Sequence, residues 1–395
     1  MASRRRTQAA DAASSPIPPF RYSTKRRRGA AAAPAPASPC SSLHEDLVAR
    51  IAERVLAAGD ILDYVRFRAV CKLWRSSTVD PRGRGVVDPR FHPRRWTMLP
   101  EGHGLQPGHA KLRGHVRFFN HDTGAFVRSR IPELKDHCIL DSPEGLLLLQ
   151  RDADAAVRLL HPFTGDVCEL PPLTSLIRRS AGDQRWTLTS WSTNRVARTL
   201  GFHGSLYLAY WGDESSILRL DPPSPMEDEE LPLPRTIAAI PGELMRMPQL
   251  VECNSEILVI GCTDVYRSQL VVVRLSELLQ GGPTVPLTSI GDHCLFIGMR
   301  SLAVSSKGLP SVAADSIILC DSINDIHQMQ YNLGDNTLSL ACDEDILHSP
   351  PPSPHSIVHH LITCCFPYFW NKGLIYCSRT KPRWGFKKGK WRLGA

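Results

Sequence analysis

Residues 117–124 read Arg117-Phe118-Phe119-Asn120-His121-Asp122-Thr123-Gly124, and residues 158–165 read Arg158-Leu159-Leu160-His161-Pro162-Phe163-Thr164-Gly165. The two stretches are offset by 41 residues. Each predicts an apolar strand, a tight Thr-Gly turn and a second strand, which ends before Ile131-Pro132 in one copy and Leu170-Pro171 in the other. A period near 40 residues is typical of one four-stranded blade of a β-propeller.

Short apolar segments continue downstream at a similar spacing and favour further strand pairs. They lie at residues 206–210, 217–220, 257–260, 270–275, 295–298, 317–320 and 329–333. The chain has 32 prolines and 27 glycines, which suits the many turns of an all-β fold. The sequence therefore predicts an all-β propeller-like domain over residues 86–345, with room for five or six blades.

The segment before this domain, residues 41–80, has helical periodicity. Leu47, Ile51 and Val55 recur at i, i+4 and i+8 and give one apolar face. Asp60 is placed to cap a second helix, with Asp63 in its first turn. The sequence predicts two or three short helices here.

A second apolar stripe follows at i, i+3, i+4 and i+7, formed by Phe67, Val70, Cys71 and Trp74. About 40 residues of short helices cannot bury two apolar faces by themselves. The pattern therefore predicts that another protein covers part of this surface.

This segment resembles an F-box. The resemblance rests on residues 42–47 and 65–76, and above all on the ending R-x-V-C-x-x-W-R-S, residues 68–76. In that family the apolar residues of the motif bind a Skp-type adaptor, which joins the cullin scaffold of a ubiquitin ligase. Carried over to this chain, the contact falls on Leu43, Leu47, Ile51, Val70, Cys71 and Trp74. The family usually has proline where this chain has His44, so the resemblance implies somewhat weaker adaptor binding here.

The following domain is similar to the kelch-like β-propeller of a plant F-box family much expanded in grasses. The matching stretches are residues 83–95, 161–165 and 289–298, the last of which contains G-D-x-x-L-F-x-G. The resemblance implies an α+β multidomain chain, in which a small all-α F-box precedes the all-β propeller-like domain. The expected order is a disordered basic tail at 1–40, the F-box at 41–80, the propeller at 86–345 and a C-terminal extension at 346–395, which departs from the family pattern.

The net charge of +8 lies in the two ends of the chain. Residues 1–40 carry eight basic side chains and one acid, and residues 379–395 carry seven basic side chains and no acid. The body between them is acidic, which disfavours a nucleic-acid-binding surface on the folded domains. The run Lys25, Arg26, Arg27 and Arg28 fits a nuclear localisation signal, a solvated basic tail or part of a transit peptide.

Catalytic motifs are absent from the sequence: it has no P-loop, H-E-x-x-H, G-x-S-x-G or G-x-G-x-x-G.

Four residues of metal-ligating types lie close together in the sequence: His359, His360, Cys364 and Cys365. Adjacent pairs point in different directions, so packed cysteines are the favoured interpretation over a zinc site. We therefore expect no catalytic residue, metal or cofactor, and the 12 cysteines without a C-x-x-C pair suit the nucleus or cytoplasm.

The resemblance implies a non-catalytic, substrate-recognition adaptor of an SCF-type (Skp–cullin–F-box) E3 ubiquitin ligase. Its F-box would bind the Skp adaptor, and its propeller would bind a target protein of unknown identity. Two alternatives remain: a nuclear nucleic-acid-associated protein that uses its basic tails, and a propeller enzyme. No apolar run is long enough to cross a bilayer, so no membrane partner is expected.

Overall fold

The computed structural model describes thirteen segments, and the predicted basic tail with Lys25–Arg28 lies outside them. All of them belong to one unit, Leu43–Ala395. The described segments are residues 43–58, 60–99, 115–151, 153–171, 196–211, 214–221, 233–264, 269–309, 311–320, 329–341, 357–365, 384–387 and 390–393. Within these segments, no helix is long and apolar enough to span a membrane.

Three helices open the described chain: α1 (Glu45–Ala57), α2 (Ile61–Arg68) and α3 (Lys72–Ser76). The predicted cap of the second helix is confirmed, because the Asp60 side chain accepts hydrogen bonds from the backbone N–H groups of Leu62 and Asp63. Ile61 and Tyr64 of α2 are buried in one cluster with Phe91, which precedes the first strand, and Leu62 of α2 packs against the cluster that contains Trp96 and Phe118 of the first blade of the following domain.

Five β-sheets follow the helices, and each forms one blade of a propeller. Blade 1 consists of β1 (Trp96–Met98), β2 (His115–Asn120) and β3 (Phe126–Arg130). Blade 2 consists of β4 (His137–Asp141), β5 (Leu147–Arg151), β6 (Val157–Leu160) and β7 (Val167–Leu170). Blade 3 consists of β8 (Val196–Phe202), β9 (Ser205–Tyr210), β10 (Ser215–Leu220) and β11 (Arg235–Ile240). Blade 4 consists of β12 (Arg246–Cys253), β13 (Glu256–Cys262) and β14 (Leu270–Arg274). Blade 5 consists of β15 (His293–Ile297), β16 (Leu302–Ser305), β17 (Ser316–Leu319), β18 (Met329–Asn332) and β19 (Leu338–Leu340).

The predicted all-β propeller domain is confirmed, and its blade number is five. Neighbouring strands pair antiparallel except in blade 5, where β15 and β17 are parallel and the order is β16-β15-β17-β18-β19. The remaining described elements are α4 (Leu275–Leu279), α5 (Ile357–Cys364), a hairpin of β20 (Trp384–Lys387) with β21 (Lys390–Leu393), and three short 3-10 helices (Pro89–Phe91, Pro132–Lys135 and Pro143–Gly145).

The repeated octapeptide forms the same turn in blades 1 and 2. The Asn120 side-chain oxygen accepts from the N–H groups of the next two turn residues at 3.0 Å each, and His161 Nδ1 accepts from the equivalent pair at 3.2 and 3.0 Å. Gly124 and Gly165 then adopt positive φ values of 69° and 77°. Glycine is therefore needed because the last turn residue is left-handed.

Blade 5 contains a third copy of this turn that the sequence pattern did not show. The Asn332 side chain accepts from the N–H of Gly334 at 2.8 Å, and the Asn332 N–H donates to the Thr337 carbonyl. The left-handed position is taken by Asn336, with φ of 58°. Asparagine tolerates this conformation better than most residues, so the same turn forms without the Thr-Gly signature.

We expect Gly165→Ala to lower the free energy of unfolding by about 1–2 kcal/mol, which is the cost of a left-handed non-glycine residue. A Cβ at Gly165 meets no atom within 4 Å, so the backbone conformation alone sets the cost. Gly242→Ala is the control, because its Cβ is also in open space and its φ is not positive. Urea unfolding of both variants tests this, and equal stability would contradict the turn assignment.

The ring closes where blade 5 meets blade 1. The backbone N–H of Ser305, at the end of β16, donates to the His121 carbonyl at 2.8 Å. The turns after β2 and β16 touch so closely that a Cβ on Gly124 would lie 1.9 Å from the Gly308 oxygen. Each blade alone would leave its faces and edges uncovered, so this contact between the last and first blades completes the packing.

Helix α5 packs against the same junction, the seam between blades 5 and 1. Leu361, Ile362, Cys364 and Cys365 are fully buried and pack in one cluster with apolar residues of blades 1 and 5, among them Phe119 and Phe296 in β2 and β15. The Arg300 N–H, in the connection from β15 to β16, donates to the Cys365 carbonyl at 3.1 Å. This part of the predicted C-terminal extension is thus core structure of the propeller.

Candidate functional site

The outer surface of the helices is apolar and exposed. Leu47 and Ile51 on α1 are 48% and 40% exposed, Val65 on α2 is 41% exposed, and Val70 just after α2 is 50% exposed. We call these four residues the helical face. The opposite side of α1 is buried instead, through Val48 and Ala52. Apolar residues grouped at a surface mark an interaction site.

The helical face includes three of the six residues predicted to bind an adaptor: Leu47, Ile51 and Val70. The other three, Leu43, Cys71 and Trp74, are half-buried. Trp74 stacks on Phe67, with ring centroids 4.2 Å apart and an interplanar angle of 28°. Five of the six residues thus lie on the described helices or in the turn between α2 and α3, and Leu43 lies just before α1.

The predicted continuous stripe from Phe67 to Trp74 is wrong in one respect. Helix α2 ends at Arg68, and Cys71 is the extended N-cap of α3, with φ of −156°. The i, i+3, i+4, i+7 pattern therefore bridges a break between two helices. The break turns α3 back, so that Trp74 reaches Phe67 by stacking across the two helices.

A cavity of about 430 Å³ lies beside the helical face. Its apolar walls are Val55, Phe67, Val70 and Trp74, and its polar walls are Asp60, Asp63 and Arg66. A pocket of this kind at an apolar surface is suited to receive a large side chain of a partner, in the way that interface anchors are held.

His44 stands at the N-cap of α1, where the F-box resemblance expects proline. Its φ is −64° and its ψ is 142°, and its side chain accepts from the Asp46 N–H at 3.4 Å. Proline fixes φ near −65°. His44 therefore gives the chain the same entry into α1 that proline would impose, and it adds a cap.

A larger cavity of about 1290 Å³ lies at the propeller's central channel, below α1. Its walls come from α1, from the connections after β2, β4, β8 and β12, and from the connection between β15 and β16. The lining is rich in charge: it contains five arginines (Arg90, Arg94, Arg95, Arg198 and Arg300), four histidines (His92, His121, His203 and His293) and five acids (Glu53, Asp122, Asp141, Glu144 and Glu252).

Glu144 is the best-connected acid of this cavity. Its carboxylate pairs with His92 Nδ1 and lies 3.3 Å from Arg94, while His92 Nε2 donates to the Val86 carbonyl at 2.9 Å. Burial raises the pKa of Glu144, but the His92 hydrogen bond and the Arg94 charge outweigh it, so this pKa is below its usual value. Glu144 is left-handed, with φ of 49°, a conformation that often occurs at functional sites.

His121 lies on the other side of the channel and is neutral. Its pKa is lowered to about 3 by burial and then by the positive charges of Arg300 and Arg95. The neutral ring pairs with the Thr97 hydroxyl, and Arg95 pairs with Asp122. The wall formed by blades 1 and 5 therefore has a positive local charge.

Cys364 and Cys365, from the predicted group of metal-ligand types, are core residues. The Cys364 thiol donates to the Met98 carbonyl, and burial raises its pKa. The side chains of His359 and His360 lie outside the described part of the chain. Within that part, no group of three or more His, Cys, Asp or Glu residues is arranged to hold a metal ion.

In a comparison with protein families, residues 174–337 match the model described as the KIB1-4 beta-propeller. The match spans less than half of the chain, from before β8 to just after β18. It agrees with the five-bladed propeller of the structure. No curated protein matches the chain.

Proposed function

We propose that this chain is the substrate-recognition adaptor of an SCF-type E3 ubiquitin ligase. The observation that carries the proposal is the helical face: Leu47, Ile51, Val65 and Val70 are exposed on a segment whose sequence resembles an F-box. The free energy gained by removing such apolar surface from water favours association. A Skp-type adaptor is the partner that this motif implies.

In this proposal the propeller binds the target protein. Its connections come from five separate blades and are held by a rigid ring, which is the usual placement of a recognition surface. A β-propeller that matches a family model is compatible with a role in protein interaction. The chain itself would catalyse no reaction, and the ligase partners would transfer ubiquitin in the nucleus or cytoplasm.

We expect Ile51→Asp to weaken adaptor binding at least about 30-fold, because the interface would enclose an unpaired carboxylate at a cost of about 2 kcal/mol or more. Ile51 is exposed in the free chain, so the change leaves the fold intact. Val285→Asp is the matched control, since Val285 is an exposed apolar residue outside the helices. Titration of each purified chain with a Skp-type adaptor gives the dissociation constants.

Equal adaptor affinity of the wild type and Ile51→Asp would overturn the proposal. The salt dependence of binding distinguishes the adaptor proposal from the alternative of a nucleic-acid-associated protein. Binding through an apolar face changes little between low and high salt, whereas binding of the basic tails to nucleic acid weakens steeply as salt rises.

A further inference from the structure

We propose that the central cavity is a binding site for a small organic anion, a molecule with an apolar body and a carboxylate or phosphate group. The inference is independent of the adaptor proposal, because it concerns the opposite side of α1 from the helical face. It rests on hydrogen-bond donors without partners among the described residues, on the arginines around them and on the shape of the cavity.

Among the described residues, the buried polar atoms of the cavity wall that have no hydrogen-bond partner include the Arg94 Nε, just before β1, and the Ser142 Oγ, just after β4. Ser142 is only 2% exposed, so bulk water does not satisfy its hydroxyl. Because an unmade hydrogen bond at a buried group is costly, such atoms indicate a ligand or an ordered water. Arg94 Nε can only donate and the hydroxyl can donate, so an oxyanion satisfies both.

Charges of both signs surround these donors. Arg95, Arg198 and Arg300 line the same cavity as Arg94, and two of its acids are engaged, Glu144 by His92 and Arg94 and Asp122 by Arg95. These four arginines come from three separate regions of the chain, and the ring brings them together. An oxyanion accepts stronger, charge-assisted hydrogen bonds from guanidinium groups than from neutral donors.

Glu252, in β12, is another acid of the cavity. Burial raises its pKa, although the charges of Arg94 and Arg95 act in the other direction. Burial therefore shifts this carboxyl toward its neutral form, which reduces its repulsion of an anion. Two further acids, Glu53 and Asp141, line the cavity from exposed positions.

The rest of the wall is largely aliphatic and partly closed. Leucines from six elements line it: Leu56 comes from α1, and the blades contribute Leu140, Leu200, Leu206, Leu250 and Leu302. The volume of about 1290 Å³ exceeds that of many small-ligand pockets, which measure about 300–1000 Å³. Because α1 covers one side, a compact molecule fits this space better than the flat surface of a folded protein.

Calorimetric titration of the full-length chain with octanoate, octan-1-ol and octylammonium tests the proposal, because these probes differ only in the head group. We expect octanoate to bind at least about 10-fold more tightly than octan-1-ol, as one charge-assisted hydrogen bond provides about 1.5–3 kcal/mol. Octylammonium should bind more weakly than octan-1-ol. Equal affinities would show apolar binding alone, and tighter octylammonium binding would show an acidic site; either result overturns the proposal.

Two variants locate the site. Arg94→Gln should weaken octanoate at least about 10-fold and leave octan-1-ol unchanged, since the amide still donates to Glu144 but the charge is lost. Arg130→Gln, on exposed β3 outside the cavity, is its control. If Arg94→Gln is unstable, Ser142→Ala removes a hydroxyl that has no hydrogen-bond partner among the described residues, and it should weaken octanoate binding about 5-fold. Octanoate binding unaffected by Ser142→Ala and by Arg94→Gln would place the anion elsewhere and refute the assignment.

Discussion

Replacing Leu361 by alanine is expected to lower the free energy of unfolding by about 2–5 kcal/mol, the range for a fully buried leucine. Leu361 is 0% exposed and lies in α5, among Phe119 of blade 1 and Phe296 of blade 5. The cavity left by the missing atoms would open at the seam where the ring closes. The whole propeller should lose stability, since no blade buries its faces alone.

Leu340→Ala is the control, because Leu340 is 51% exposed on the outer strand β19 and its truncation should change stability by less than about 0.5 kcal/mol. Urea unfolding followed by tryptophan fluorescence measures both variants. A Leu361→Ala chain as stable as Leu340→Ala would show that α5 is not needed to close the ring.

The role of α5 also shows what the sequence could have revealed. Val358, Leu361, Ile362 and Cys365 stand at i, i+3, i+4 and i+7, a helical stripe. The pattern is short, and the surrounding residues depart from the family resemblance, so the segment gave no prediction of a helix. Only the ring supplies its partners, because they come from strands about 40 to 265 residues earlier in the chain.

The turns of the propeller were predictable where their geometry needs one residue type. Gly124 and Gly165 have positive φ, which few residues other than glycine accept, so the repeat was visible. Asn336 satisfies the same requirement in blade 5 with a different side chain, and that copy was hidden. In the helices, hydrophobic spacing identified the apolar residues but not the break at Cys71, because periodicity does not depend on whether the helix is continuous.

The central cavity could not have been predicted. Arg94, Ser142 and Arg300 are separated by long stretches of sequence and belong to no motif. Their proximity follows from closing five sheets into a ring, and the arginines carry no sequence signal that separates them from ordinary surface residues. The helical face differs in this respect, since its residues are close in sequence and share one periodic pattern.

Asp60→Ala is expected to lower the free energy of unfolding by about 2–4 kcal/mol, since it removes a helix cap and leaves buried donors unpaired. Its carboxylate accepts from Leu62 N–H at 2.9 Å and from Asp63 N–H at 3.2 Å. It also accepts from Trp96 Nε1 at 3.3 Å and from Asn120 Nδ2 at 3.2 Å. Trp96 and Asn120 belong to blade 1 and are 2% and 1% exposed.

One side chain therefore joins the start of α2 to the propeller, and its loss should act on both. Besides the loss of stability, the amides of α2 should exchange hydrogen faster in Asp60→Ala, because the cap and the attachment to blade 1 are removed together. Asp60→Asn, which retains one acceptor oxygen, should show a smaller change in both stability and exchange.

Asp63→Ala is the control: Asp63 is exposed and its ion pair with Arg66 contributes less than about 1 kcal/mol. If Asp60→Ala changed α2 exchange no more than Asp63→Ala, the helices would be held by apolar packing alone, and the orientation of the helical face would not depend on Asp60.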